Sequence, residues 1–324
     1  MIKKKEELRI VFMGTPGFAV ESLKSLVENG YNIVGVITMP DKPAGRGYKI
    51  QSSPVKEYAG QQGLNVLQPE NLKYKGFLDD LSLLRADLQI VVAFRMLPEA
   101  VWSMPPLGTF NLHASLLPQY RGAAPINRAI INGEKETGVT TFFLRHEIDT
   151  GEIIFREKTV ISENDNAESL HDRLMAMGAD LVVKTVDAIL EGDIKTTPQN
   201  RLYKNADELK SAPKIFKENC RIDWNKNSNE LFNFVRGLSP YPAAWTILNR
   251  PDTNEELRLK VYACEKIDNP SHERLSDAPK GTVLTDNKTF IDVVVNDGTI
   301  RITDLQLSGK KRMHTVDLLN GFSF

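Results

Sequence analysis

Cysteine is nearly absent: Cys220 and Cys264 are the two in 324 residues. They lie far apart, outside any zinc-ligand spacing, and leave no disulfide framework. Both are expected as small buried apolar groups in a reducing compartment. An apolar run of membrane length is also missing, and the basic N-terminus, M-I-K-K-K-E-E-L-R, leads through acids into a short strand rather than a secretory core. A cytoplasmic protein without membrane contact is the expectation. Neither sign of charge is in excess. There are 41 basic and 42 acidic side chains, a formal net charge of -1, so nucleic-acid binding would have to come from local patches. The first glycine turn lacks the G-x-G-x-x-G spacing, which disfavours a dinucleotide site. No G-x-S-x-G elbow occurs and no histidine neighbours either cysteine in sequence, which disfavours a covalent acyl-enzyme. Internal repeats and low-complexity tracts are absent.

What is present reads as two domains. Leu8–Met13 is a short apolar run. After a glycine-proline turn, Ala19, Leu23, Leu26 and Val27 fall on one face of a helix, and Asn32–Thr38 is a second buried strand. That is a βαβ unit, hence a parallel sheet. Helices are predicted over 54–63, 75–84 and 166–191, and strands over 64–67, 88–93, 138–144 and 152–155. From Lys214 the texture changes to one helix near 229–238 and short strands separated by Gly, Asn and Asp, the pattern of a small antiparallel barrel. The expected fold is α/β: a Rossmann-like, mostly parallel sheet domain over 1–195, a polar linker over 196–212, and a smaller OB-like antiparallel β-barrel domain over 213–324.

One stretch concentrates polar chemistry. In F-N-L-H-A-S-L-L-P-Q-Y-R-G-A-A-P, from Phe110 to Pro125, a strand over 109–113 would point Asn111 and His113 to the same face. Open α/β sheets place their chemistry at such strand ends. Asp149, in D-T-G, is a carboxylate that either closes an Asx turn or joins a site. An amide N–H and an imidazole can stabilise an oxyanion on a carbonyl, and a nearby carboxylate can raise the imidazole pKa or accept a proton. Together they fit acyl-type transfer. Met39–Ile50 collects Lys42, Arg46 and Lys49 among two prolines and two glycines. It is either a solvated loop or a functional one.

The core N-L-H-A-S-L-L-P-Q-Y-R-G-A-A-P, with I-D-T-G-E-I downstream, resembles the folate-dependent formyltransferases. M-G-T-P-G-F-A-V, P-D-K-P-A-G-R-G-Y-K-I-Q-S-S-P-V-K, C-R-I-D-W-N and L-S-P-Y-P-A-A-W resemble the branch of that family that acts on tRNA. The resemblance spans Arg9 to Asn320. It implies 10-formyltetrahydrofolate as donor and the α-amino group of methionine on initiator methionyl-tRNA as acceptor, with no metal. It also implies Asn111, His113 and Asp149 as catalytic residues, and folate binding by Ser115, Leu116, Leu117 and Pro118. Contact with tRNA would come from the loop carrying Lys42, Gly45, Arg46 and Lys49, supported by the second domain. A monomer is expected. Two departures stand out: Phe94-Arg95-Met96-Leu97-Pro98 is one residue shorter than the family's turn, with Arg for Gly, where that turn borders the pterin pocket, and Gly17 replaces a common acid. A formyltransferase for a purine precursor or an amino sugar, a formate-releasing hydrolase, and an RNA-binding protein without catalysis remain alternatives.

Overall fold

Residues 9–14, R-I-V-F-M-G, are buried on both faces, as suits a strand in the middle of a parallel sheet. In the computed structural model, which describes residues 4–44, 49–147, 149–192, 194–250, 255–267 and 278–323, this strand is β1 (Arg9–Gly14). It is followed by α1 (Gly17–Glu28), β2 (Asn32–Ile37), a hairpin of β3 (Lys42–Ala44) and β4 (Lys49–Gln51), α2 (Pro54–Gln61), β5 (Val66–Leu67), α3 (Lys75–Leu83), β6 (Leu88–Val92), α4 (Glu99–Trp102), β7 (Thr109–His113), β8 (Arg121–Gly122), α5 (Pro125–Ile131), β9 (Glu136–Phe143), β10 (Ile153–Val160) and α6 (Ala167–Glu191). β11 (Ser211–Ala212), α7 (Ser228–Leu238), β12 (Ala244–Asn249), β13 (Glu256–Ile267), β14 (Val283–Thr285), β15 (Ile291–Val295), β16 (Gly298–Leu307), β17 (Met313–His314) and α8 (Thr315–Leu319) complete the chain.

The chain divides into two compact units. One comprises Met1–Gly122, Thr137–Thr159 and His171–Ser211; the other comprises Ala123–Glu136, Val160–Leu170 and Ala212–Phe324.

The first unit is built on a seven-stranded sheet in the order β10-β9-β7-β6-β1-β2-β5. β1 pairs in parallel with β2 on one side and β6 on the other, so the order reverses at β1, and β7 runs parallel to β6. β9 runs antiparallel to β7, with Asn111 opposite Phe142 and His113 opposite Thr140. The hydrophobic effect holds this sheet: Phe12, Phe110, Phe142, Leu23 and Leu26 are fully buried. Helix starts follow local chemistry. Ser53 caps α2, its Oγ accepting the Lys56 N–H at 3.1 Å, and Pro54 takes the first helical position.

The second unit carries an antiparallel six-stranded sheet in the order β12-β13-β16-β15-β14, with β17 added beside β16. The register of β13 against β16 shifts twice near Ala263, and bulges of this kind curl a sheet. α7 closes the inner face with Leu231, Val235 and Leu238, packed with Ile291, Val293, Ile300 and Ile302. Its N-terminus is a reciprocal capping box: Asn227 accepts the Glu230 N–H and Glu230 accepts the Asn227 N–H. α5 lies close on α7, where a Cβ at Gly237 would stand 2.7 Å from Ile131 and the Asn127 amide donates to the Gly237 carbonyl. Both thiols are buried, and burial pushes Cys264 up to about 12, which makes it inert at neutral pH. Among the described residues no helix is long and apolar enough to cross a membrane, and no group of three or more His, Cys, Asp or Glu could hold a metal ion.

Candidate active site

β7 delivers Asn111 and His113 to one face because side chains alternate along a strand. The Asn111 carboxamide is half-buried and, among the described residues, has no hydrogen-bond partner. His113, the last residue of the strand, is buried, and its Nε2 lies 2.8 Å from the Tyr120 carbonyl oxygen. A carbonyl only accepts, so Nε2 carries a proton and Nδ1 is the ring atom left to act. Nδ1 stands 3.9 Å from Oδ2 of Asp149. That is too long for a hydrogen bond and within ion-pair distance.

Asp149 does not spend its carboxylate on its own turn. Oδ2 accepts the backbone N–H of Gly122 at 3.1 Å, 27 positions away. Asp149 occupies left-handed backbone, φ 54°, which Asp tolerates better than most L residues. Next to it Gly151 packs so closely on β9 that a Cβ there would fall 1.6 Å from the Phe143 carbonyl oxygen. The turn is held from below by Gln199. Its Nε2 donates to the carbonyls of Asp149 and Gly151 at 2.8 and 2.9 Å, and its Oε1 accepts from Arg121 Nε and Nη2 at 3.1 and 2.6 Å. Thr197 forms a two-way backbone bridge with Ile153, so the segment leading into Gln199 is fixed to the sheet.

The stretch Ser115–Pro118 is pinned to β9. The Thr140 hydroxyl donates to the Ser115 carbonyl at 2.6 Å and accepts the Leu117 N–H at 3.2 Å. The Ser115 hydroxyl is spent inside on the Gln119 carbonyl, and Leu117 is buried against Phe142 and Ile153. Of this stretch, Leu116 keeps a half-exposed side chain. The Arg95 guanidinium turns onto the carbonyls of Pro69 and Glu70, and burial lowers its pKa. Arg95 lines a cavity of about 480 Å³ with Leu72, Leu97 and Pro98. A second cavity, of about 410 Å³, lies beside the Asp149 turn and is lined by Arg121, Arg145, His146, Thr150 and Gln199.

The basic loop is partly described. Lys42 is exposed in β3, and Lys49 lies in β4, paired with Ala44. Gly45 and Arg46 lie outside the described residues. The base of the hairpin is anchored: Asp41 accepts from Lys56 Nζ at 2.5 Å and from Gln68 Nε2 at 2.9 Å. These two bonds hold the Asp41 carboxyl below the usual range. Sequence reasoning missed Gln199, an amide in a polar segment, and the backbone roles of Tyr120 and Gly122. Arg121 stood inside the recognised motif but carried no signal of its own.

The sheet is of α/β class and brings an amide and an imidazole to one strand end beside a carboxylate, and residues 8–186 match the formyl transferase family while 214–323 match its C-terminal domain. The chain belongs to the formyl transferase family. Its relatives include the methionyl-tRNA formyltransferases of Parabacteroides distasonis, 62% identical over 98% of this chain and 97% of that one, and of Bacteroides fragilis, 59% identical over 98% and 96%. Two solved structures share the fold. WlaRD, a sugar 3N-formyl transferase, matches with a TM-score of 0.63 at 20% identity over 95% of this chain and all (100%) of that one. HypX from Aquifex aeolicus, in complex with tetrahydrofolic acid, matches with a TM-score of 0.62 at 18% identity over 96% of this chain and 46% of its own.

Proposed function

We propose that this protein transfers a formyl group from 10-formyltetrahydrofolate to the α-amino group of methionine on initiator methionyl-tRNA, for translation initiation. The observation that carries the reading is a carboxamide and an imidazole on one face of β7, with a carboxylate oxygen 3.9 Å from the imidazole Nδ1. Bound 10-formyltetrahydrofolate supplies the electrophilic formyl carbon.

The residues divide the work as follows. Asn111 donates an N–H to the formyl oxygen, and His113, protonated at Nδ1, donates to the same oxygen. Both strengthen as negative charge develops there. Asp149 stabilises that imidazolium and takes the proton that the attacking amine gives up. A C–N bond forms to the methionyl nitrogen, the bond from the formyl carbon to the folate nitrogen breaks, and the amine's proton is passed on to that leaving nitrogen. None of the three becomes covalently modified. With its hydroxyl and Leu117 turned inward, Ser115–Pro118 holds the donor through backbone groups and Leu116.

Lys42, Gly45, Arg46 and Lys49 are the proposed tRNA contacts, and Asp41 with Lys56 clamps the base of the β3–β4 pair. Arg46→Ala is expected to weaken binding of charged tRNA and flatten its salt dependence. Binding unchanged across salt would return the loop to a solvated surface. The enzyme is proposed to act in the cytoplasm as a monomer, with 1–195 as catalytic domain, 196–212 as connection and 213–324 as OB-like tRNA-binding domain. The experiment is direct: purified protein, charged initiator tRNA and 10-formyltetrahydrofolate should yield formylmethionyl-tRNA, with formate release absent when tRNA is omitted. Formate release without tRNA would favour a hydrolase.

A further inference from the structure

Gln199 belongs to none of the motifs that identify the family, yet its carboxamide has no spare capacity. It is 3% exposed, and it makes two donor and two acceptor bonds. Both donor bonds go to one turn, on either side of Thr150, and that turn carries Asp149 in left-handed backbone. Left-handed backbone at a non-glycine residue persists when its surroundings over-determine it. Here the over-determining contacts are the Gly122 N–H on the carboxylate and Gln199 on the carbonyl. Arg121 in turn fixes the Gln199 oxygen, so the amide can present its N–H groups in only one sense.

We infer that Gln199 is a positioning residue for formyl transfer. It holds the Asp149–Gly151 turn so that the carboxylate stays beside His113 Nδ1, and Arg121 keeps the amide oriented. This rests on the reading of Asp149 as catalytic. A primary amide suits the task because it spans two carbonyls with one NH2 group while its oxygen accepts from a guanidinium. Glutamate would keep the Arg121 partner and bring acceptor oxygens against two carbonyls; methionine would keep the volume and lose all four bonds. The backbone at this point is secured by the Thr197–Ile153 bridge, so side-chain substitution leaves the segment attached to the sheet.

The test is a double-mutant cycle read by single-turnover formylation of methionyl-tRNA with enzyme in excess. Gln199→Met and Gln199→Glu should each slow transfer about 10- to 100-fold, the scale of a misplaced catalytic group, with KM for both substrates within about twofold. In an Asp149→Ala background the same substitutions should change the rate less than about twofold, since there is no carboxylate left to place. Equal fold losses in both backgrounds, or a Gln199→Glu enzyme at the native rate, would overturn the inference. Native turnover by Asp149→Ala alone would instead overturn the reading of the site beneath it.

Discussion

Thr140→Val removes one hydroxyl and nothing else of comparable size, and its consequences can be worked from two bonds. Thr140 is fully buried, and its Oγ1 both donates to the Ser115 carbonyl and accepts the Leu117 N–H. Valine fills the same space with a methyl group. It leaves a buried carbonyl and a buried N–H without these partners, at about 1–3 kcal/mol for each group left unsatisfied. Relaxation of the 115–118 stretch toward solvent would recover part of this, so a net loss of about 2–4 kcal/mol is expected. With roughly 2–4 °C per kcal/mol for a chain of this order, Tm should fall by about 4–16 °C. Thr140→Ser keeps the hydroxyl and should fall by less than half as much. Because the same bonds shape the stretch proposed to hold folate, KM for 10-formyltetrahydrofolate should rise in Thr140→Val and stay near native in Thr140→Ser. Thermal melts and folate titrations of the three proteins check this. A valine variant that melts within about 1 °C of the parent and binds folate normally would refute the reasoning.

Three further outcomes follow from single contacts. His113→Ala should lower kcat by about 10²–10³, the cost of a principal oxyanion donor, as read by steady-state formylation; near-native turnover would sink the proposed mechanism. Gly151→Ala places a Cβ inside the Phe143 carbonyl oxygen, so the turn must move. It should cost more than about 4 kcal/mol and lower soluble yield and activity together, and a folded, active alanine variant would show the backbone approach to be looser. The Asp41 pKa is lowered by its bonds to Lys56 and Gln68, so its contribution is present above the ordinary carboxylate pKa and disappears as pH falls through the lower folded value. Asp41→Asn should therefore reduce Tm at pH 6, with the gap to the parent closing below about pH 4. A gap that is constant over that range would remove the ion pair from the account.

The first two strands and α1 are legible because their apolar positions repeat with the period of the element they form. The Asn111–His113 pair is legible for the same reason: period two on a strand puts them together without knowledge of any other contact. The 138–144 strand was also visible, beginning two residues earlier as β9 (Glu136–Phe143). β10 runs five residues beyond the expected Phe155, to Val160, because the charges of Arg156, Glu157 and Lys158 mask a strand that is exposed only at alternate positions. The β3–β4 hairpin was hidden by Pro43, which reads as loop and is tolerated at a sheet edge. The proximity of Asp149 to His113 could come only from the resemblance, since nothing in D-T-G says that its carboxylate leaves the turn for the Gly122 N–H. Gln199 gave no signal at all, because a glutamine in a polar segment is usually solvated and its four bonds are purely tertiary. Arg95, a departure from the family pattern, resolves as a clamp on the Pro69 and Glu70 carbonyls.

The central claim is that Asn111, His113 and Asp149 move a formyl group onto the amine of a charged tRNA. The most direct measurement incubates the purified protein with 10-formyltetrahydrofolate and initiator tRNA charged with labelled methionine, then identifies the labelled amino acid after deacylation. The account predicts formylmethionine with the native protein and a rate lower by about 10²–10³ with His113→Ala. Unmodified methionine with the native, folded protein would contradict it.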